Sequence, residues 1–277
     1  MHITHYERQH KRAVTDLLFY SRYNQTHLDW YDTDQWLERD ASITLIAWDD
    51  ERIAGVMSAA TPLNSAAWIR ILGVGNQFEP KEVIPFLWDA LKAELHTENV
   101  ASLAVEQWVT RVLPAIGFAY QDEIITLRRS GFDLPNRQPT TGLVIRSVEF
   151  QDLPTIEQVD HLAFSPPWQM SYDELYQARR ISMICTVALM DDEIIGYQMS
   201  TLYNHTGHLA RLAVLPELQG RGIGASILSD LILRFLKKQV RSLTVNTQST
   251  NTYSRKLYET YGFQRTGYDL PVWTHGA

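Results

Sequence analysis

The chain contains two near copies of one pattern. "ITLIAWDDERIAGVMSA" (Ile43 to Ala59) and "CTVALMDDEIIGYQMST" (Cys185 to Thr201) each run from an apolar strand through an acidic turn into a second strand that holds a glycine, Gly55 or Gly196. The likeness continues in order. "WIRILGV" (Trp68 to Val74) parallels "HLARLAV" (His208 to Val214), "VASLAVE" (Val100 to Glu106) parallels "VRSLTVN" (Val240 to Asn246), and "LPAIGFA" (Leu113 to Ala119) parallels "YETYGFQ" (Tyr258 to Gln264). A repeat at an offset of about 140 positions restricts the chain to two similar halves, because each copy presents the same faces for burial. The repeated unit reads as strand, hairpin, helix, strand, helix, strand, which predicts a mixed α/β chain of the α+β class.

With 277 residues the chain is long enough for one large or two modest domains. Between the copies, "RRSGFDLPNRQPTTG" combines Gly, Pro, Asn and Thr without apolar periodicity, which predicts a linker and a boundary near Thr141, with domains 1–140 and 141–277. No apolar run approaches the roughly 18 residues that span a membrane, and "MHITHYERQHKR" lacks a signal-peptide core, so a cytoplasmic location is expected. The lone Cys185 sits in the apolar run "ISMICTVALM", has no disulfide partner, and is expected to be a buried structural residue. A net charge of -7 argues against non-specific nucleic-acid binding and suits a cationic small substrate.

The copies diverge after their central strand. "HLARLAV" is followed by "LPELQGRGIGA", but "WIRILGV" is followed by "GNQFEPKEVIP", which lacks the second and third glycines. Val245 to Gly262 spans 17 steps and Val105 to Gly117 only 12, so the first copy has also lost the segment matching "TQSTN". In the second copy the glycines free the backbone to turn its N–H groups toward one point, and the positive end of the helix behind them adds to the attraction for a pyrophosphate. Ile223, Ile227, Leu231 and Phe235 give that helix an apolar face. A P-loop is excluded because Gly224 is followed by Ala225 and Ser226 rather than Lys and Ser/Thr. A dinucleotide fold needs an acid about 20 positions on, and no Asp or Glu occurs between Asp230 and Glu259.

The loop Gln219, Gly222, Gly224, set between strand and helix and followed by "NTYSRKLYETYGF" (Asn251 to Phe263), resembles the GNAT superfamily of acyl-CoA-dependent N-acyltransferases. The resemblance is strong from about Leu143 to Leu270 and marks the first half as a degenerate copy. It implies two tandem GNAT-like domains, each a mostly antiparallel twisted central sheet flanked by helices, with acetyl-CoA or another short acyl-CoA bound only in the second. It further implies a V-shaped opening between the strand ending at Val214 and the one beginning near Leu243. There the main chain of Leu212, Ala213 and Val214 would bond the pantetheine arm and polarise the thioester. Gln219, Gly220, Arg221, Gly222, Ile223, Gly224 and Ala225 would surround the pyrophosphate. Asn251 would bond the pantetheine or cap its helix, and Ser254 would let that helix approach. Tyr258, where the first copy has Leu113, would protonate the departing thiolate.

The general base stays open among His208, Glu217, His205 and a water relay. "FSPPWQMSYDELY" (Phe164 to Tyr176) occupies the place of the family's acceptor-shaping loop, so the acceptor is expected to be an amine of a small molecule or peptide. The acidic and aromatic run "HLDWYDTDQWLERD" (His27 to Asp40) is either a solvated helix face or a cation-attracting lip. No histidine or cysteine spacing suggests a metal site. A non-catalytic acyl-CoA sensor is the rival to an enzyme, and oligomeric state is left open.

Overall fold

A computed structural model describes residues 1–276 apart from 64, 132 and 136–139. Two compact units emerge: Met1–Asp122 with Leu270–Ala277, and Glu123–Asp269. In the first, the strand order is His2–His5, Ser42–Asp49, Arg52–Leu63, Ala66–Val74, Val100–Leu103 and the C-terminal end of Gln264–His275. In the second it is Val144–Ser147, Ile184–Met190, Glu193–Tyr203, Thr206–Val214, Ser242–Gln248 and the Ala119–Ser130 strand from Ile124 on. Each unit holds one parallel pair at the same place, Ala66–Val74 with Val100–Leu103 and Thr206–Val214 with Ser242–Gln248; the other pairings described are antiparallel.

The expected boundary near Thr141 and these units do not coincide, for a physical reason. Ile124 to Ser130 ladder onto Ser242–Gln248, and Val272 to His275 ladder onto Val100–Leu103. Composition reports where periodicity stops, whereas a strand belongs to the edge that satisfies its backbone groups.

Local chemistry explains the shared elements. Both first helices are preceded by a reciprocal capping box, at Glu7 with His10 and at Glu149 with Asp152. The hairpins of the second unit turn at Asp191 and Asp192 (φ 51° and 66°) and at Asn204 and His205 (φ 45° and 62°), residue pairs of the type I′ turn that matches strand twist. The helix Ile223–Lys237 buries Ile223, Ile227, Leu231 and Phe235, each contributing roughly 1.5–3 kcal/mol against its sheet. Cys185 is buried, and burial raises its thiol pKa.

One irregularity is common to both units. In the second, Met199 faces Arg211 while Ser200 faces Leu209, so Ala210 is an extra residue in its strand. In the first, Ser58 faces Ile71 while Ala59 faces Ile69, leaving Arg70 as the extra residue. These positions match in the repeat. A β-bulge bends its strand and increases the twist, and in both units it lies just past the point where the parallel pairing ends.

Candidate active site

In the second unit Thr206 to Leu209 pair with Ser242 to Val245, and the ladder stops there. Beyond it, Arg211 to Val214 stay with Gly196 to Met199, while Asn246 to Gln248 stay with Ile124 to Thr126. The two parallel strands therefore part after Leu209 and Val245, producing the opening expected beside Leu212, Ala213 and Val214.

The glycine loop follows directly. Gly220 and Gly222 have φ of 75° and 84°, conformations that cost an L residue roughly 1–2 kcal/mol, and Gly222 caps the helix without a side chain. Gly224 is different: a Cβ there would make only ordinary contacts, 3.6 Å from Leu257. The amide groups of Gly220, Arg221, Gly222, Ile223, Gly224 and Ala225 donate to no acceptor among the described residues. The first turn of the helix has no acidic residue, and its last turn carries Arg234 and Lys237. A row of donors without acceptors among the described residues, at the positive end of a 15-residue helix, is suited to an anion such as a pyrophosphate. Arg221 is exposed beside it. Gln219 turns instead to the protein, donating from Nε2 to the Val214 carbonyl at 3.0 Å and tying the loop to the cleft strand.

The helix Thr252–Thr260 brings its tyrosine to this loop. The Asn251 side chain accepts from Ser254 N at 3.0 Å, so the N-cap role is the one the geometry displays. Two tyrosines three residues apart then meet different fates. Tyr261 is fully buried and satisfied, its hydroxyl donating to the Ala225 carbonyl at 2.9 Å and lying 2.7 Å from Ser229 Oγ. Tyr258 packs with Leu209, Val245 and Ala225, is 5% exposed, and its hydroxyl has no hydrogen-bond partner among the described residues. Burial raises its pKa and holds the phenol protonated.

The base candidates separate in space. His205 lies exposed in the hairpin turn at the far end of the strand from the glycine loop. His208 Nδ1 sits 2.9 Å from Thr244 Oγ1 in the paired stretch, and burial lowers its pKa so that the ring stays neutral. Glu217 is exposed on the loop. Four acids of the run His27 to Asp40 are engaged inside the first unit. Asp29 pairs with the buried Arg70 at 2.5 Å, Asp32 caps Thr33–Leu37, and Asp34 and Glu38 hold Lys11 at 3.1 and 2.9 Å. Among the described residues, no group of three or more His, Cys, Asp or Glu side chains is placed to hold a metal.

Sequence reasoning missed a buried polar cluster on the opposite side of the cleft strand. Asp160 Oδ2 accepts from Arg211 Nε and Nη2 at 2.8 and 2.6 Å and from the Tyr197 hydroxyl, and Asp160 and Tyr197 are wholly buried. The signal was present: an arginine inside "HLARLAV" and an aspartate one position after Val159 on the apolar side of a helix.

The first unit shows what became of the same cleft. Among the described residues, only Ala67 and Trp68 pair with Val100 and Ala101 before the strands part. Into the gap runs the strand Tyr23–Thr26, laddered on Val74 to Ile71, the positions that match Val214 to Arg211. Gln25 spans to the other side, donating to the Leu103 carbonyl at 2.9 Å and accepting from Val105 N and Glu106 N at 2.8 and 3.0 Å. The following helix starts with Glu79 as N-cap, Pro80 and Glu82, a terminus with one amide fewer and two negative charges.

A parallel pair that parts beside a bulge is accompanied, among the described residues, by a row of amides without acceptors and a buried phenol without a hydrogen-bond partner. A model of the Acetyltransferase (GNAT) family matches residues 153–263. The chain is 30% identical over 119 residues to the ribosomal protein bS18-alanine N-acetyltransferase of Haemophilus influenzae, a match spanning 43% of this chain and 77% of that one. The chain belongs to the GNAT family and is an N-acyltransferase. Its fold is shared by a tandem GNAT protein from the clavulanic acid biosynthesis pathway, with a TM-score of 0.64 at 14% identity over 99% of this chain and 97% of that one. It is also shared by the glucosamine N-acetyltransferase region of a fungal multi-domain β-N-acetylglucosaminidase, with a TM-score of 0.70 at 15% identity over 99% of this chain and 38% of that one.

Proposed function

We propose that the second unit transfers an acetyl group from acetyl-CoA to a primary amine of a small molecule or peptide by direct attack, and that the first unit binds no coenzyme. The unbonded amide row from Gly220 to Ala225 carries this reading, because in the matching place the first unit has Glu79, Pro80 and Glu82. The loop amides and Arg221 hold the pyrophosphate. The main chain of Leu212, Ala213 and Val214 bonds the pantetheine arm, which takes the place along the parted strand that Tyr23–Thr26 fills in the first unit. Amides already oriented toward the thioester oxygen stabilise the charge that develops there.

The amine, having lost one proton from its ammonium form to water or to a neighbouring base, forms a bond to the acetyl carbon. The tetrahedral intermediate breaks its carbon–sulfur bond, and the nitrogen releases its surplus proton to solvent, leaving a neutral amide. The Tyr258 hydroxyl then gives its proton to the departing thiolate and regains one from solvent. A phenol normally titrates near 10 and a thiol near 8.5, so the raised Tyr258 is a poor acid toward bulk water. It serves here because it is protonated throughout the neutral range and sits next to the cleft. Calorimetry with CoA and acetyl-CoA is the direct test. One site per chain supports the proposal; an absence of binding, or two equal sites, overturns it.

A further inference from the structure

The polar cluster of the second unit has an apolar counterpart in the first. Registering the two capping boxes, Glu7 on Glu149, places Leu18 opposite Asp160, and the repeat places Val56 opposite Tyr197 and Ile71 opposite Arg211. Val56 and Ile71 are wholly buried in one apolar cluster, with Leu18 packed against it. The fold therefore accommodates hydrophobic side chains at all three places. A buried ion pair is often no more stabilising than well-packed apolar residues of similar volume, so stability does not account for the charges in the second unit.

What the charges hold does account for them. Arg211 Nη2 donates to the Trp168 carbonyl at 2.6 Å, its guanidinium carbon stands 3.6 Å from the Phe164 ring centroid, and Asp160 Oδ1 accepts from Met170 N at 2.8 Å. All three contacts fall on the Phe164–Met170 loop. Arg211 itself belongs to the parted stretch of strand that walls the cleft, and its neighbour Leu212 packs on the glycine-loop side. We infer that Asp160, Arg211 and Tyr197 form a positioning device that fastens the Phe164–Met170 loop to the cleft wall and thereby fixes the seat of the amine acceptor. The inference rests on the proposed acyl transfer in the second unit. The three residues act through the loop and touch neither coenzyme nor reacting atoms.

The test transplants the first unit's solution, D160L/Y197V/R211I, with Tyr197→Phe as a milder variant that keeps the ion pair. Three measurements follow: calorimetry with CoA, amide exchange, and kinetics with glucosamine and with a hexapeptide beginning in alanine. The triple variant is expected to stay folded, to bind CoA within about twofold of the parent, and to exchange faster at 164–170 with the helix 223–237 unchanged. KM for whichever amine turns over is expected to rise at least tenfold while KM for acetyl-CoA holds; Tyr197→Phe moves in the same direction by a few fold. Unchanged acceptor KM, or exchange that accelerates equally across the unit, overturns the inference. Where neither amine turns over, the exchange pattern decides alone. Should the triple variant fail to fold, Tyr197→Phe decides by the same split. Loss of CoA binding by the parent protein would instead count against the acyl-transfer reading.

Discussion

The two clefts differ in what lies between their parallel strands. In the first unit Tyr23–Thr26 lies there as a strand of the protein's own, whereas in the second, among the described residues, no strand pairs with the parted edge of Arg211 to Val214 other than Gly196 to Met199. Both clefts part beside the same bulged position, Arg70 or Ala210. Parting is thus a property of the shared fold, and what enters the gap is a property of the local sequence. Beside one cleft, Gly220 and Gly222 turn a loop whose amides have no acceptors among the described residues; in the other, Gln25 fills the gap and Glu79 and Pro80 open the following helix.

The sharpest way to break this comparison is at the residue where the units differ most in chemistry. Tyr258 packs with Leu209 and Val245, the last paired residues before the second cleft opens, and its counterpart Leu113 is wholly buried in an apolar cluster. Tyr258→Phe keeps the ring and removes the proton. We expect kcat to fall roughly 10²–10³-fold with KM for acetyl-CoA nearly unchanged, as for loss of a positioned general acid. In the parent, burial keeps the phenol protonated above its ordinary value near 10, so activity should show no tyrosine-dependent decline up to that pH. A rate unaltered by the substitution would leave the thiolate to solvent and remove the main functional difference between the copies.

Next in size is the anion site. Gly222→Glu places at the N-cap the charge that Glu79 carries in the first unit, and does so at φ 84°. Strain of about 1–2 kcal/mol together with repulsion at the helix terminus should weaken CoA binding roughly 30- to 100-fold in calorimetry. Since Gly224 has room for a methyl group, Gly224→Ala should cost far less, and an equal loss at both positions would contradict the account of the loop.

Much of this was readable from the chain. The repeat, the α+β class, the glycine loop and the Asn251 cap depend on local spacing, which sequence displays directly. What escaped depends on pairing partners. Nothing in "YNQT" marks Tyr23–Thr26 as a strand, because its stability comes from the parted edge of Ala66–Val74 and from Gln25 reaching Leu103 and Val105. The acids of "HLDWYDTDQWLERD" looked solvated because Arg70 and Lys11, which hold Asp29, Asp34 and Glu38, lie tens of residues away. Likewise, Asp160, Tyr197 and Arg211 are each unremarkable alone and form a site only through a helix and two neighbouring strands.

The inserted strand offers a moderate effect. Gln25→Ala deletes one donor and one acceptor that together serve three backbone groups. Loss of such partners should destabilise the first unit by about 1–3 kcal/mol in denaturant titration. Amide exchange at 71–74 should accelerate, while CoA stoichiometry stays at one per chain because the Glu79, Pro80 and Glu82 terminus remains unsuited to an anion. A second CoA site appearing in this variant would show that the strand alone, and not the helix terminus, excludes the coenzyme.

The smallest expected effect distinguishes the units by pH. His27 follows the inserted strand, donates its main-chain N–H to the Arg70 carbonyl at 2.7 Å, and sets its ring 4.9 Å from that of Trp68. Burial first, and then the Arg70 guanidinium, push its pKa well below the usual 6.5. The sign follows from linkage: below about 6.5 the unfolded chain takes up a proton that the folded chain refuses, so stability falls as the pH drops until the folded pKa is reached. The loss approaches about 1.4 kcal/mol per pH unit. Chemical unfolding at pH 7.5 and 5.5 should therefore show a smaller acid penalty in His27→Gln than in the parent, with faster parent exchange at 23–26 in acid. His208→Gln should relieve the second unit in the same sense, since its pKa is lowered by burial alone. Equal acid penalties in parent and His27→Gln would mean that the ring already finds a proton in the folded state, and that the seal on the first cleft is looser than its hydrogen bonds imply.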